Sequence, residues 1–238
     1  MTEVMEAPQA LIFDVFGTCV DWRFGITREV AAAYQLKRTP VDGPAVADAW
    51  RGEYQPAMEA IRSGGRGYVA LDDLHRETLL RVQTRMGQAG RFSDADRAAL
   101  ARAWEKLPPW PDVVPGLTRL KRDYVIAPCS NGSIALMTHL ARYGGLPWDC
   151  ILGADIARDY KPKPRVYQAS AEALRLRPDQ VMMVACHEDD LAAARAAGLM
   201  TAYVPRPTEW GPPRDVAPTG DWDLIAQDFE VLAEALGA

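Results

Sequence analysis

The sequence is short of cysteine and histidine, has no long apolar run and carries no excess of positive charge, and each shortage excludes a class of function. Its four cysteines, Cys19, Cys129, Cys150 and Cys186, make no CxxC pair and no zinc-like spacing. Neither a disulfide framework nor a zinc ribbon is therefore expected, and free thiols in a reducing cytoplasm are the ordinary reading. Every apolar run falls far short of the roughly 20 residues that a membrane helix needs, so no membrane partner is expected. The formal net charge is -5. A nucleic-acid partner would want a basic face, and none is expected. A small anionic ligand needs only one or two local cations and stays compatible with that charge. The stretch Met1–Gln9 is acidic and lacks the basic start of a signal peptide, which makes a cytoplasmic location the expectation.

What the sequence does have is room and pattern. Its 238 residues suffice for one large domain, or for a core with a smaller one inserted. Hydrophobic residues at 48% and charged residues at 25% are the balance of a globular protein that buries its own core. Ala10-Leu11-Ile12-Phe13 is a short apolar run that reads as a buried strand ending at Asp14, with Gly17 allowing a tight turn after it. From Ile26 to Trp104 the pattern becomes helical, with helices expected over Val46–Ile61, Asp72–Met86 and Asp94–Leu107, the last capped by Ser93 or Asp94. After Pro108-Pro109-Trp110-Pro111, strands are expected at Tyr124–Cys129, Cys150–Ala154, Val181–Cys186 and Thr201–Val204. Helices are expected between them at Ser133–Tyr143, Pro164–Leu174 and Leu191–Ala197. Arg206–Gly220, rich in proline, reads as a surface loop before a last helix at Phe229–Leu236.

Alternating strands and helices predict an α/β fold with a doubly wound parallel sheet, a Rossmann-like core. The first strand belongs with the later ones. Residues 1–20 and 108–238 are thus expected to form the core, and residues 21–107 an inserted helical cap. In such a sheet the ligand lies beyond the carboxyl ends of the strands. The side chains found there are Asp14, Ser130, Asn131, the residues from Asp155 on to Lys161, and His187 to Asp190. Asp14 alone could cap its own turn. A carboxylate with Thr18 and a glycine turn behind it, a lysine opposite, and hydroxyl and amide donors around it is the arrangement of a nucleophile. The lysine would hold the carboxylate ionised. Of the three histidines, His139 falls in a helical stretch and His75 in the expected cap. His187, at a strand end, has the chemistry of a general base and equally that of a residue that fixes its loop.

Four strings in order carry a resemblance to a known family. Phe13-Asp14-Val15-Phe16-Gly17-Thr18 resembles the first motif of the haloacid dehalogenase superfamily, and Ser130-Asn131-Gly132 the second. Lys161-Pro162 with Arg165-Val166-Tyr167 resembles the third, and His187–Asp190 with Ala192–Gly198 the fourth. The likeness extends to Trp50-Arg51 and Leu71–Arg76 in the cap and to Arg206–Gly211. Within the superfamily the chain is similar to the type II (S)-2-haloacid dehalogenases, a group that includes fluoroacetate-active enzymes. That resemblance implies attack by Asp14 on the halogen-bearing carbon of a small 2-halo carboxylic acid, then hydrolysis of the aspartyl ester by water, with no metal and no other cofactor. It further implies that Lys161 and Ser130 orient Asp14 and the substrate carboxylate, and that Arg51 and Asn131 cradle the halide. Asp190, alone or with His187, would polarise the water, and Tyr167 would support Lys161. Homodimers are common in that group, and a homodimer is compatible with this composition.

The branch of the superfamily turns on Phe16. Phosphatases of this family carry a second aspartate there to protonate an alcohol leaving group. A phenylalanine donates no proton, but it can wall off a carbon–halogen bond, and halide leaves without protonation. Cys186 stands where the phosphatases place an acid at their metal site, while Glu188 and Asp189 are additional acids in the same loop. If these two faced the substrate they would favour a cation. A hydrolase that opens a strained cyclic amino acid, with an amine leaving group, is thus one alternative, and a magnesium-dependent phosphatase another.

Overall fold

The computed structural model describes residues 7–238, so most of the acidic Met1–Gln9 stretch lies outside the described residues. The chain runs β1 (Ala10–Phe13), then five helices: α1 (Trp22–Leu36), α2 (Gly43–Gly52), α3 (Tyr54–Arg62), α4 (Leu71–Arg85) and α5 (Asp94–Ala101). It continues through α6 (Val113–Leu120), β2 (Val125–Ser130), α7 (Ile134–Gly144), β3 (Leu152–Gly153), α8 (Ala154–Ala157) and α9 (Pro164–Ala173). It ends with β4 (Val181–Ala185), α10 (Glu188–Ala196), β5 (Met200–Tyr203), β6 (Leu224–Ile225) and α11 (Phe229–Ala235).

The six strands form one sheet in the order β3-β2-β1-β4-β5-β6, and every paired neighbour is parallel. β1 lies centrally, between β2 and β4. All four of its residues are buried, which is why it reads as a continuous apolar run. Leu11 and Phe13 enter the hydrophobic cluster on one face, and Ala10 and Ile12 the cluster on the other. The chain winds outward through β2 and β3 on one side, then returns to β1 and winds outward through β4, β5 and β6. Winding therefore reverses at β1 and β4, and the crevice at their carboxyl ends is where a ligand is expected. Asp14 follows β1 there.

Local chemistry explains where the helices differ from the sequence expectation. Val46–Ile61 is not one helix: α2 stops at Gly52, and α3 restarts at Tyr54. Pro56 sits in the first turn of α3, where its missing N–H costs nothing, whereas inside a continuous helix it would break a bond. α5 starts on Ser93, which makes a capping box with Asp96, and gives way after Ala101 to a single 3₁₀ turn ahead of the prolines. α10 begins at Glu188 rather than Leu191. Glu188, Asp189 and Asp190 are thus not loop acids but its first turn, where the amino-terminal end of a helix favours negative charge. α1 and α6 were not singled out by pattern, and β6, at two residues, is too short to show any. Among the described residues no helix is long and apolar enough to cross a membrane.

The inserted helices meet the sheet through aromatic packing. Phe16 is 1% exposed. It lies edge-on to Tyr54 and Trp104, with ring centroids 6.4 and 5.5 Å away. His75 is buried and stacks on Trp104 at 4.3 Å. Burial, helped by the Arg51 charge, pushes the His75 imidazole well below its ordinary range, so it packs as a neutral ring. His139 is exposed on α7.

Candidate active site

A cavity of about 300 Å³ opens at the carboxyl ends of β1 and β4. Asp14 and His187 line it from the sheet, with Asp190 from α10. Asn131 comes from the loop after β2, and Lys161 from the segment after β3. Arg51 and Tyr54 reach it from either side of the break between α2 and α3, and Trp210 from the loop after β5. The break between α2 and α3 falls between the Arg51 and Tyr54 side chains.

Asp14 is 7% exposed, and both its carboxylate oxygens are held. Thr18 Oγ1 donates to Oδ2 at 2.8 Å, and Lys161 Nζ donates to Oδ1 at 3.0 Å. His187 Nδ1 lies 3.2 Å from Oδ2. Burial alone would raise this carboxyl, but the Lys161 ammonium and then His187 outweigh it and hold Asp14 far below the usual carboxylate range. The Thr18 hydroxyl is itself fixed by the Cys186 backbone N–H at 3.0 Å.

Lys161 is shared. Its ammonium also donates to Asp190 Oδ2. Burial opposes the charged amine, yet Asp14 and Asp190 together raise it well above its ordinary value. Tyr167 donates to the other Asp190 oxygen at 2.5 Å, so it supports Lys161 through Asp190 and not directly. Burial, reinforced by the facing Asp14 charge, raises Asp190 against the pull of Lys161. Two carboxylates thus share one lysine, with Asp14 held low and Asp190 pushed up. The Lys161 backbone is held from both sides. Its N–H donates to Asn131 Oδ1 at 2.8 Å, and its carbonyl accepts from Arg62 of α3 at 2.7 Å.

The residue that sequence reasoning missed as a site residue is Glu209. It lies in the expected surface loop but is 5% exposed. Its carboxylate is 3.1 Å from His187 Nε2 and accepts from Trp22 Nε1 at 3.0 Å. Gly17 makes this possible: with φ at +96°, a Cβ there would lie 2.3 Å from Glu209 Oε1. Burial works against charge on His187, but Cys186, Asp14 and Glu209 outweigh it and raise the imidazole well above its ordinary range. The signal for Glu209 was its place in Arg206–Gly211. The fold brings that stretch back because Arg206 donates to the Thr18 carbonyl at 2.9 Å and pairs with Asp112 at 2.8 Å.

Other expected residues are placed as follows. Arg51 stacks its guanidinium 4.1 Å from the Tyr54 ring centroid, and its Nη1 is buried with no hydrogen-bond partner among the described residues. Ser130 is fully buried, accepts from the Gly132 N–H at 3.0 Å and is not on the cavity wall. Phe16 likewise stands off the wall, packed on Tyr54. Glu188 turns away from the cavity and accepts from the Thr219 N–H and hydroxyl, both at 2.7 Å. Asp189 reaches the rim, where its Oδ1 accepts from the Asp190 N–H at 3.0 Å.

These shifts set a pH expectation. Asp14 is ionised well below its ordinary 3.8, and His187 is protonated well above 6.5. Between about pH 5 and 6.5 neither changes charge in the free enzyme, so a step that needs only Asp14 as nucleophile runs at constant rate there. Single-turnover rates across that window check this. A rise with the slope of one titrating group would show that Asp14 is not held ionised.

A carboxylate gripped by a buried lysine, at the winding reversal of a parallel sheet and under inserted helices, is the site of a hydrolase of the α/β class. The haloacid dehalogenase-like hydrolase family model matches residues 8–198, and the chain belongs to that family. A solved structure of a defluorinating L-2-haloacid dehalogenase is 48% identical, with TM-score 0.95, covering 97% of this chain and 96% of its own. A second L-2-haloacid dehalogenase structure is 41% identical, with TM-score 0.92, covering 97% and 99%. An (S)-2-haloacid dehalogenase of Xanthobacter autotrophicus is 27% identical over 238 residues, covering 95% of this chain and 88% of its own.

Proposed function

We propose that this chain hydrolyses small 2-halo carboxylic acids to 2-hydroxy acids through an ester on Asp14. The observation that carries the reading is Arg51, which lines the cavity that holds Asp14 and whose buried Nη1 has no hydrogen-bond partner among the described residues. An orphaned buried donor costs stability, on the order of 1–3 kcal/mol, unless a ligand satisfies it. A departing halide is such a ligand. The similarity to haloacid dehalogenases over nearly the whole chain supports the same reading.

In the first step an Asp14 oxygen attacks the halogen-bearing carbon from the side opposite the halogen. The carbon–oxygen bond forms, halide leaves with the bonding pair, and the carbon inverts. Lys161 and Arg51 supply the positive charge that draws in the substrate carboxylate. Arg51, with the Asn131 amide, receives the halide, as donors aimed at charge that develops in the transition state. Esterification removes the Asp14 charge and with it one of the two carboxylates that keep His187 protonated. His187 then gives up its Nδ1 proton to solvent, while Glu209 retains the Nε2–H. The freed Nδ1 faces the ester and takes a proton from the attacking water. Water adds to the Asp14 carbonyl carbon, the donor already on the non-esterified Asp14 oxygen stabilises the oxyanion, and collapse expels the product alkoxide, which takes the intermediate's hydroxyl proton, so that the 2-hydroxy acid leaves and Asp14 is restored as carboxylate. His187 with Glu209 suits this task better than Asp190, because Lys161 and Tyr167 already occupy both Asp190 oxygens.

The test is halide release from each enantiomer of 2-chloropropionate, and from chloroacetate and fluoroacetate, in the presence of chelator. Release from at least one is expected; release from none, or only with magnesium, removes the reading. The amine-releasing alternative rested on Glu188 and Asp189 facing the substrate. With Glu188 turned to Thr219, Glu188→Gln is expected to leave kcat/KM for a haloacid within about twofold, as for a surface change away from the site. A change beyond about tenfold would place its charge at the substrate.

A further inference from the structure

We propose that Cys186, His187 and Glu209 form a binding site for a thiophilic divalent cation of the zinc class, and that an ion held there arrests the reaction at the ester stage. The arrest rests on the dehalogenase reading above; the site does not. Glu209 Oε2 lies 3.1 Å from His187 Nε2 and 3.9 Å from Cys186 Sγ, and the three ligand atoms all fall within 4.8 Å of one another. Tetrahedral zinc, with bonds of about 2.0–2.3 Å, separates its ligands by roughly 3.3–3.6 Å. The three groups thus stand within a few tenths of an ångström to about one ångström of a coordination shell. Sulfur, imidazole and carboxylate are a donor set for zinc or cobalt, not for magnesium, which wants oxygen.

The surroundings are those of a supported site. Trp22 Nε1 donates to the Glu209 oxygen Oε1 at 3.0 Å, which orients the carboxylate. Gly17 leaves the space in which Glu209 and His187 approach. His187 lines the cavity, which supplies the path of entry. Binding releases the Cys186 thiol proton and the His187 Nε2 proton to solvent, leaving thiolate and neutral imidazole on the ion.

The effect follows from the imidazole. An ion on Nε2 leaves the ring's one proton on Nδ1, toward Asp14. Asp14 keeps its charge and still displaces halide. Nδ1–H has no lone pair for the water proton, so the ester persists.

The experiment uses chelator-treated full-length protein with cobalt(II) as the optical probe and zinc(II) as the inhibitor. Cobalt is expected to produce a thiolate-to-metal charge-transfer band that Cys186→Ser and Cys186→Ala lack. Zinc is expected to limit halide release to one equivalent per site and to leave an ester adduct visible in the intact mass. Cys186→Ser should raise the zinc concentration for half-inhibition about 100-fold, measured against the variant's own metal-free turnover. No band, or a band kept in both Cys186 variants, overturns the site. Inhibition without the halide equivalent, or equal in wild type and Cys186→Ser, overturns the arrest. A Cys186-dependent band in a protein that releases no halide when metal-free supports the site and overturns the function instead.

Discussion

Asp14→Asn is expected to reduce halide release by roughly 10⁶-fold, the scale seen when a covalent nucleophile is removed. Asparagine keeps the shape and can still accept from Thr18, but its amide is neutral and is no nucleophile toward a saturated carbon. Lys161 retains Asp190, and His187 retains Glu209, so neither cation is left unpaired. The fold should therefore persist, with a melting temperature within about 4 °C of wild type, equivalent to no more than about 1–2 kcal/mol for a chain of this size. A halide assay and a thermal melt on the same preparation separate lost chemistry from lost structure. A loss smaller than about 100-fold with intact structure would take the nucleophile's role away from Asp14. In wild type, one turnover in ¹⁸O-water with enzyme in excess should place label in Asp14, because water attacks the ester carbonyl and not the substrate carbon.

The second large effect is expected at His187. In His187→Ala the first step keeps its nucleophile, its lysine and its guanidinium. Halide should appear in a burst of one equivalent per site. Hydrolysis of the ester should then slow by about 10²–10⁴-fold, the usual worth of a positioned general base. Rapid-quench halide measurement and the intact mass of the trapped adduct check the two halves separately, and added imidazole should restore part of the second step. If Asp190 were the base instead, His187→Ala would turn over without a burst, and no adduct would accumulate. Loss of the burst itself would mean that His187 serves Asp14 in the first step, by positioning or by charge.

Much of this protein was legible in order along the chain. β1, β2, β4 and β5 came from apolar runs, because a parallel strand covered on both faces must be apolar throughout. Asp14, Asn131 and His187, which follow β1, β2 and β4, and Lys161, from the segment after β3, line one cavity because a doubly wound sheet collects its strand ends in one crevice. Phe16 could be read as a missing proton donor from residue identity alone.

What pattern could not supply was direction. Arg51 and Tyr54 line the cavity from two helices, α2 and α3, that the pattern reads as one. Glu188 and Asp189 looked equivalent in sequence. The start of α10 at Glu188 sends one to Thr219 and the other to the rim. Glu209 was hidden in a proline-rich loop far along the chain from Asp14, and only the Arg206–Asp112 pair and the space beside Gly17 bring it under His187. The sequence by itself determined the sheet and the strand-end positions of Asp14 and Lys161, since strand burial and strand-end position are local properties of the chain. The tertiary structure decided which carboxylate pairs with the histidine and that the buried Arg51 Nη1 finds no partner among the described residues, since partnership between side chains depends on distances that no local pattern contains.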